Sequence, residues 1–226
     1  MTGLQALGDS FTCGEGVGVQ VPLSGTWAAL LADALKLEHR SLAVAGARVR
    51  DVVSTQLPQV TPATVSTLFV GLNDVARGGF DIDAVRSGLL ECVERLQAVS
   101  ESVVVGRLHD PSRVLWMPMP LRRVVRSRQE QVNEVVDSLR GVTVVDLGAV
   151  PELRLTAGWA VDRVHPSAAG HRALAHAAAA ALGREWMDSV VLPKPPGLAA
   201  RAVWSARHGA PYMARQAAGQ VIGRWT

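Results

Sequence analysis

The run GLQALGDSFTCGEG (Gly3–Gly16) decides how the rest of the chain is read. Gly3–Leu7 is a short apolar segment without helical spacing, and it reads as a β-strand. It empties into a glycine-rich loop that carries Asp9 and Ser10. A strand delivering a serine to a loop implies a scaffold whose strand ends gather side chains, so the question is whether the remaining sequence alternates strand and helix.

It does. Thr26–Leu37 has apolar residues at Trp27, Leu30, Leu31, Ala34 and Leu35, a helical repeat. Ser41–Ala45 reads as a second strand and Arg48–Leu57 as a short helix stopped by Pro58, because proline disfavours helix at the residue before it. Val65–Val70 is a third strand, followed by a turn-rich stretch. Asp83–Val99 is a helix with Val85, Leu89, Val93 and Leu96 on one face. Ser102–Val105 is a fourth strand and Arg107–Pro120 a long loop holding Trp116, Met117 and Met119. Leu121–Arg140 is a helix with Leu121, Val124, Val125, Val132, Val135, Val136 and Leu139 on one face. Val142–Asp146 is a fifth strand, Leu147–Val164 a loop, and Pro166–Leu182 a last helix opened by proline. Five strands with intervening helices predict an α/β fold, a three-layer α/β/α sandwich on a flavodoxin-like parallel five-stranded sheet. In such sheets ligands gather outside the carboxyl ends of the strands.

Composition agrees. The 226 residues are 48% hydrophobic but only 4% aromatic, so the core rests on Ala, Val and Leu. From Arg184 onward six Lys/Arg face two acids, against 17 basic and 18 acidic residues before it. A near-neutral body with a basic tail lacks the concentrated basic face of a nucleic-acid-binding domain. Cys13 and Cys92 form neither a disulfide framework nor a zinc pattern. No secretory leader and no membrane-spanning run is legible, so the cytoplasm is the expected compartment. After Gly183 the rhythm stops. Leu192–Gly197 (LPKPPG) is a linker by composition, which divides the chain into a domain at 1–183 and a basic extension at 184–226.

Three features fall at predicted strand ends: Gly8-Asp9-Ser10 after the first strand, Gly71-Leu72-Asn73-Asp74 after the third, and Asp162-Arg163-Val164-His165 before the last helix. Serine, histidine and a carboxylate are the parts of a nucleophilic triad. A serine hydroxyl needs a base, imidazole titrates near neutrality, and an Asp three residues earlier can turn back to fix its tautomer. Asn73 offers an amide donor for a developing oxyanion.

Four stretches then carry a family resemblance. GDSFTCGEG (Gly8–Gly16), LAVAGARVRDV (Leu42–Val52), GLND (Gly71–Asp74) and DRVHPSAAGH (Asp162–His171) resemble, in order, the first, second, third and fifth sequence blocks of the SGNH (GDSL-type) hydrolases. The resemblance implies that Ser10 is the nucleophile, His165 its general base and Asp162 the orienter. It implies an oxyanion hole built from the Ser10 and Gly46 backbone N–H groups and the Asn73 side chain. Leu72 stands where the third block often has a second glycine, which narrows the site. The expected activity is hydrolysis of a small acyl ester or thioester through an acyl-serine. Acyl transfer to an alcohol or amine and a catalytically silent binding module are the alternatives.

Other residues have simpler readings. Asp9 and Asp74 suit turn or capping roles, and Gly14, Gly16 and Gly18 lack the spacing of a phosphate loop. His39, His109, His171, His176 and His208 form no metal-ligand spacing, so no metal or cofactor is expected and solvated or capping roles are the expectation for each. His109, Leu72, Trp116 and Met117 are candidates for a substrate pocket, with core cover the alternative for the Trp116, Met117 and Met119 cluster. Arg122, Arg123, Arg126 and Arg128 most simply solvate a helix face. The tail, with Trp186, Trp204 and Trp225, reads first as a clasp on the body. Weak docking on an acidic partner or membrane surface is the second reading.

Overall fold

The computed structural model describes residues 3–16, 19–184, 186 and 190–211. Five parallel strands, β1 (Gly3–Gly8), β2 (Glu38–Ser41), β3 (Ala63–Phe69), β4 (Ser100–Arg107) and β5 (Thr143–Asp146), form one sheet in the order β2-β1-β3-β4-β5. The principal helices are α1 (Ser10–Cys13), α2 (Trp27–Leu35), α3 (Val49–Asp51), α4 (Leu72–Ala76), α5 (Ile82–Gln97), α6 (Met119–Ser138), α7 (Ala168–Ala181) and α8 (Leu198–Trp204). Residues Glu15–Gly16 also pair antiparallel with Val19–Gln20.

Strand alternation sorts the core into two layers. Leu7, Leu68, Val103 and Val105 face α5 and α6 with Leu89, Leu96, Val132 and Val136. Leu4, Ala6, Val65, Val104 and Val145 face α2 and α7 with Trp27, Leu31, Leu174 and Ala178. In the second layer α7 contributes mostly alanines, and the bulk comes from Trp27, Phe69 and Trp159. The result is the expected three-layer sandwich.

The order also creates the site. The chain leaves β1 toward β2 on one side and returns to β3 on the other, so the crevice outside their carboxyl ends is the switch point of the sheet. Ser10 lies just beyond β1 and Asn73 just beyond β3.

Several boundaries differ from the sequence reading. The second strand is Glu38–Ser41, not Ser41–Ala45. It is an edge strand with alternating exposure, and its polar sequence EHRS hides it from an apolar-run criterion. The apolar LAVA stretch beyond it still tracks β1, with Leu42 N–H donating to Ala6 O at 2.8 Å and Val44 N–H to Gly8 O at 3.2 Å. The predicted Arg48–Leu57 helix is α3 followed by a wide π-type turn at Val52–Gln56 and a 3₁₀ turn at Leu57–Gln59. α4 is a helix where a turn-rich stretch was expected. On α6, Leu121 and Val124 are exposed while Val125, Val132, Val135 and Val136 are buried. Arg128 does more than solvate its helix: its Nη1 donates to Val75 O and Arg77 O at 3.2 and 3.1 Å, and its guanidinium lies over Phe80. Trp186 and Val190 pack on the α2–α7 layer, and Trp186 stacks on His176 with ring centroids 4.4 Å apart. Gly18, Glu185, Asp188, Arg215, Arg224 and Trp225 lie outside the described residues.

Candidate active site

Ser10 is the first residue of α1, a one-turn helix whose entry is fixed by its neighbours. Asp9 caps it, its Oδ1 accepting the Phe11 N–H at 2.9 Å, as a capping aspartate should. Gly8, the last residue of β1, is gripped by buried Gln56, which accepts the Gly8 N–H at 2.9 Å and donates to its carbonyl at 2.8 Å. The glycine that launches the serine is therefore held on both of its backbone polar groups.

The partners arrive on the loop before α7. Asp162 turns back over its own backbone, its Oδ1 accepting the N–H groups of Val164 and His165 at 2.9 and 3.0 Å. Arg163, between them, takes φ of +58°, the left-handed conformation such a tight turn demands. The turn presents Asp162 Oδ2 to His165 Nδ1 at 2.5 Å, and His165 Nε2 reaches Ser10 Oγ at 2.9 Å. Asp162 is 6% exposed. A buried carboxylate bonded to Nδ1 favours the tautomer whose Nε2 carries a lone pair toward the serine.

Of the expected oxyanion donors, the Asn73 side chain reaches the residue before Ser10 and the residue after Gly46. Asn73 Nδ2 donates to Asp9 Oδ2 at 2.9 Å and to Ala47 O at 3.2 Å, so both amide hydrogens have acceptors. Gly46 adopts φ of +79°, a conformation that glycine reaches without steric cost. Burial pushes the Asp9 carboxyl up to about 6, against the opposing pull of the Phe11 N–H, the nearby His165 and the Asn73 amide. Asp74 serves the backbone too, accepting the Val49 N–H at 3.1 Å.

Of the pocket candidates, Leu72 and His109 line a small cavity of about 20 Å³ with Asp9, Phe11, Phe69 and Leu147. His109 is buried rather than solvated, its ring 4.7 Å from Trp159 and 5.9 Å from Phe11, and burial pulls its imidazole down to about 4. Trp116 and Met117 are not part of this cavity. Trp116 is 89% exposed, and Met117 packs against the core layer under α6. His171 is buried as well. Its Nδ1 accepts the Trp27 N–H at the start of α2 at 3.2 Å, a capping role, and burial again lowers its basicity, to about 4. Among the described residues no cluster of His, Cys, Asp and Glu could hold a metal ion.

Sequence reasoning missed Gln56, which carried no signal beyond a glutamine near a helix end. It missed the reason for Gly16. That residue has an ordinary φ, yet a Cβ there would run into the His165 ring, so the backbone of the Glu15–Gly16 strand lies against the imidazole.

Residues 6–173 match the model of the GDSL-like lipase/acylhydrolase family. The chain belongs to that family. A GDSL-like esterase from Mycobacterium tuberculosis is 33% identical over 120 residues, which are 47% of this chain and 36% of the mycobacterial protein, so the shared segment spans about a third of that relative. Among solved structures, the acetylxylan esterase Axe2 from Geobacillus stearothermophilus superposes with a TM-score of 0.60 at 23% identity, covering 83% of this chain and 97% of that one. An α/β hydrolase from the Lake Arreo metagenome gives 0.62 at 23% identity, covering 80% and 95%. These likenesses place the sandwich within the GDSL-family fold.

Proposed function

We propose that this GDSL-family protein is a serine esterase acting on small acyl esters or thioesters through an acyl-serine intermediate. The observation that carries the reading is the unbroken contact chain Ser10 Oγ, His165 Nε2, His165 Nδ1, Asp162 Oδ2, assembled from the two ends of the domain. In the proposed reaction His165 takes the Ser10 proton as Oγ attacks the ester carbonyl. Asp162 stabilises the imidazolium without itself becoming protonated. His165 then returns the proton to the departing alcohol or thiol, and a water activated by the same imidazole releases the acid. The Ser10 and Gly46 N–H groups, which have no acceptor among the described residues, face the developing oxyanion. Asn73 joins them by exchanging its longer bond, the one to Ala47 O, for the oxyanion.

The 20 Å³ cavity beside Asp9 and Leu72 has room for little more than a methyl group, so acetyl esters are the first substrates to try. The test combines turnover of p-nitrophenyl acetate with fluorophosphonate labelling. Ser10→Ala should abolish both, and labelling at another serine would overturn the assignment. Added alcohols report on acyl transfer, since an acyltransferase would divert the acyl group into a new ester at the expense of free acid.

A further inference from the structure

Arg77, directly after α4, lies one helical turn beyond Asn73, and the two side chains act on consecutive peptides. Asn73 donates to Ala47 O, and Arg77 Nη1 donates to Gly46 O at 3.0 Å. The second terminal nitrogen, Nη2, stands beside the Gly46 α-carbon, 2.9 Å from where a Cβ would be, and has no acceptor among the described residues. Close by, Arg48 Nη1 donates to Gly78 O at 3.1 Å. The loop carrying Arg77 is itself tied down by Arg128, through Val75 O and Arg77 O.

Among the described residues neither Arg48 nor Arg77 has a carboxylate within salt-bridge distance. The nearby acids are committed elsewhere: Asp51 accepts the Arg48 backbone N–H and Asp74 that of Val49. A guanidinium held by a neutral carbonyl is positioned without being neutralised. Two such groups side by side repel one another, and burial, with Arg50 and Arg77 nearby, lowers the Arg48 guanidinium from its ordinary value against the partial opposing pull of Asp74 and Asp51. An arrangement of this kind is relieved by an anion, and guanidinium matches carboxylate and phosphate oxygens with paired donors.

We propose that Arg77, with Arg48 beside it, binds an anionic group, a carboxylate or phosphate, carried by the ester substrate on the Gly46 side of Ser10. The proposal rests on the esterase reading for its position in the reaction, but the recognition itself is testable without turnover. Matched pairs of esters separate the two places the charge can sit. On the acyl side, mono-p-nitrophenyl succinate is compared with p-nitrophenyl pentanoate. On the alcohol side, 4-acetoxybenzoate is compared with 4-acetoxybenzamide. Wild-type protein should prefer the anionic member of one pair by about 10-fold or more in kcat/KM. Arg77→Gln, which keeps a donor for Gly46 O, should bring that ratio to near one, and Arg77→Lys should retain part of it. Each ratio is taken within one protein, so partial misfolding of a variant cancels. The same pairs titrated calorimetrically against Ser10→Ala protein should show the same charge preference in binding, weakened by 0.5 M salt. A preference there without wild-type turnover would sink the esterase reading and keep this one. No anionic preference in either pair, or one that Arg77→Gln leaves intact, would overturn the proposal.

Discussion

The backbone of Gly16 lies flush against the imidazole of His165, and a single added carbon would collide with the ring. Because Gly16 has an ordinary φ, nothing but this contact requires glycine there. Gly16→Ala should displace the imidazole from Ser10, whose Oγ is 2.9 Å away. A shift of about 1 Å in reacting groups costs on the order of 100-fold in rate. The expected result is a loss of that size in kcat, an almost unchanged KM and a near-normal melting temperature. Wild-type kcat in Gly16→Ala would show that the ring does not depend on this wall.

Asp162→Asn should preserve the fold, since Oδ1 can still accept the Val164 and His165 N–H groups. The amide replaces Oδ2 with a donor facing Nδ1, which turns the imidazole to the wrong tautomer. Activity on p-nitrophenyl acetate should fall by roughly 10³–10⁴-fold. A drop under tenfold would argue that His165 needs no orienter.

Asp9→Asn tests the link between capping and the oxyanion site. Oδ1 would still cap Phe11, but an N–H₂ would replace the oxygen that now accepts from Asn73 at 2.9 Å. Two amide donors would then oppose each other, Asn73 would swing away, and kcat should fall by about 10²-fold while KM holds. Unchanged kcat would remove Asn73 from the oxyanion site.

Stability should decline as the pH drops from about 6.5 toward 4. His109 and His171 are both pulled down to about 4 by burial, whereas an unfolded histidine titrates near 6.5, so in this window the unfolded chain binds more protons. Asp9, pushed up to about 6, acts in the opposite sense, since its folded form holds a proton that the unfolded carboxyl releases. Burial likewise raises Asp74 and lowers His39, so three histidines stand against two aspartates and the net slope follows the histidines. Thermal melts from pH 7 to 4.5 should show a falling Tm. His171→Asn, which keeps an acceptor for the Trp27 N–H, should flatten the curve, and an unaltered slope would exclude His171 as a contributor.

Truncation after Gly183 removes Trp186 from its stack on His176 while leaving Ser10, Gly46, Asn73, Asp162 and His165 in place. The shortened protein should melt lower, with kcat within a few-fold of the full chain. Trp186→Ala alone should reduce Tm by roughly 2–8 °C, the shift expected for a loss of about 1–2 kcal/mol in a domain of this size. A well-folded truncation without activity would mean that the extension helps build the site.

How much of this was legible in the sequence follows the range of the interactions. Gly8-Asp9-Ser10 and Asp162-Arg163-Val164-His165 could be read because each works within one turn, where spacing alone sets the geometry. That Ser10 could meet His165 across 155 positions followed from placing both at strand ends, and the family resemblance then assigned their roles. β2 was misplaced because an edge strand needs only one buried face, and EHRS is mostly polar while the following LAVA is not. Trp116 looked like a pocket wall by residue type, but a loop tryptophan can equally point outward, and this one does. Gln56, Gly16 and Arg77 act on groups about 30 to 150 positions away, and nothing in their neighbouring residues announces it.

The division of labour between the two ends of the domain has a temporal side. Ser10 is made 155 positions before its base, which follows only when the loop before α7 has been made. Until that loop is made the Ser10 hydroxyl lacks the imidazole that would accept its proton. Under the esterase reading, chemistry switches on when the last helix docks and brings His165 to Ser10, and a chain cut short before that point would be harmless to cellular esters.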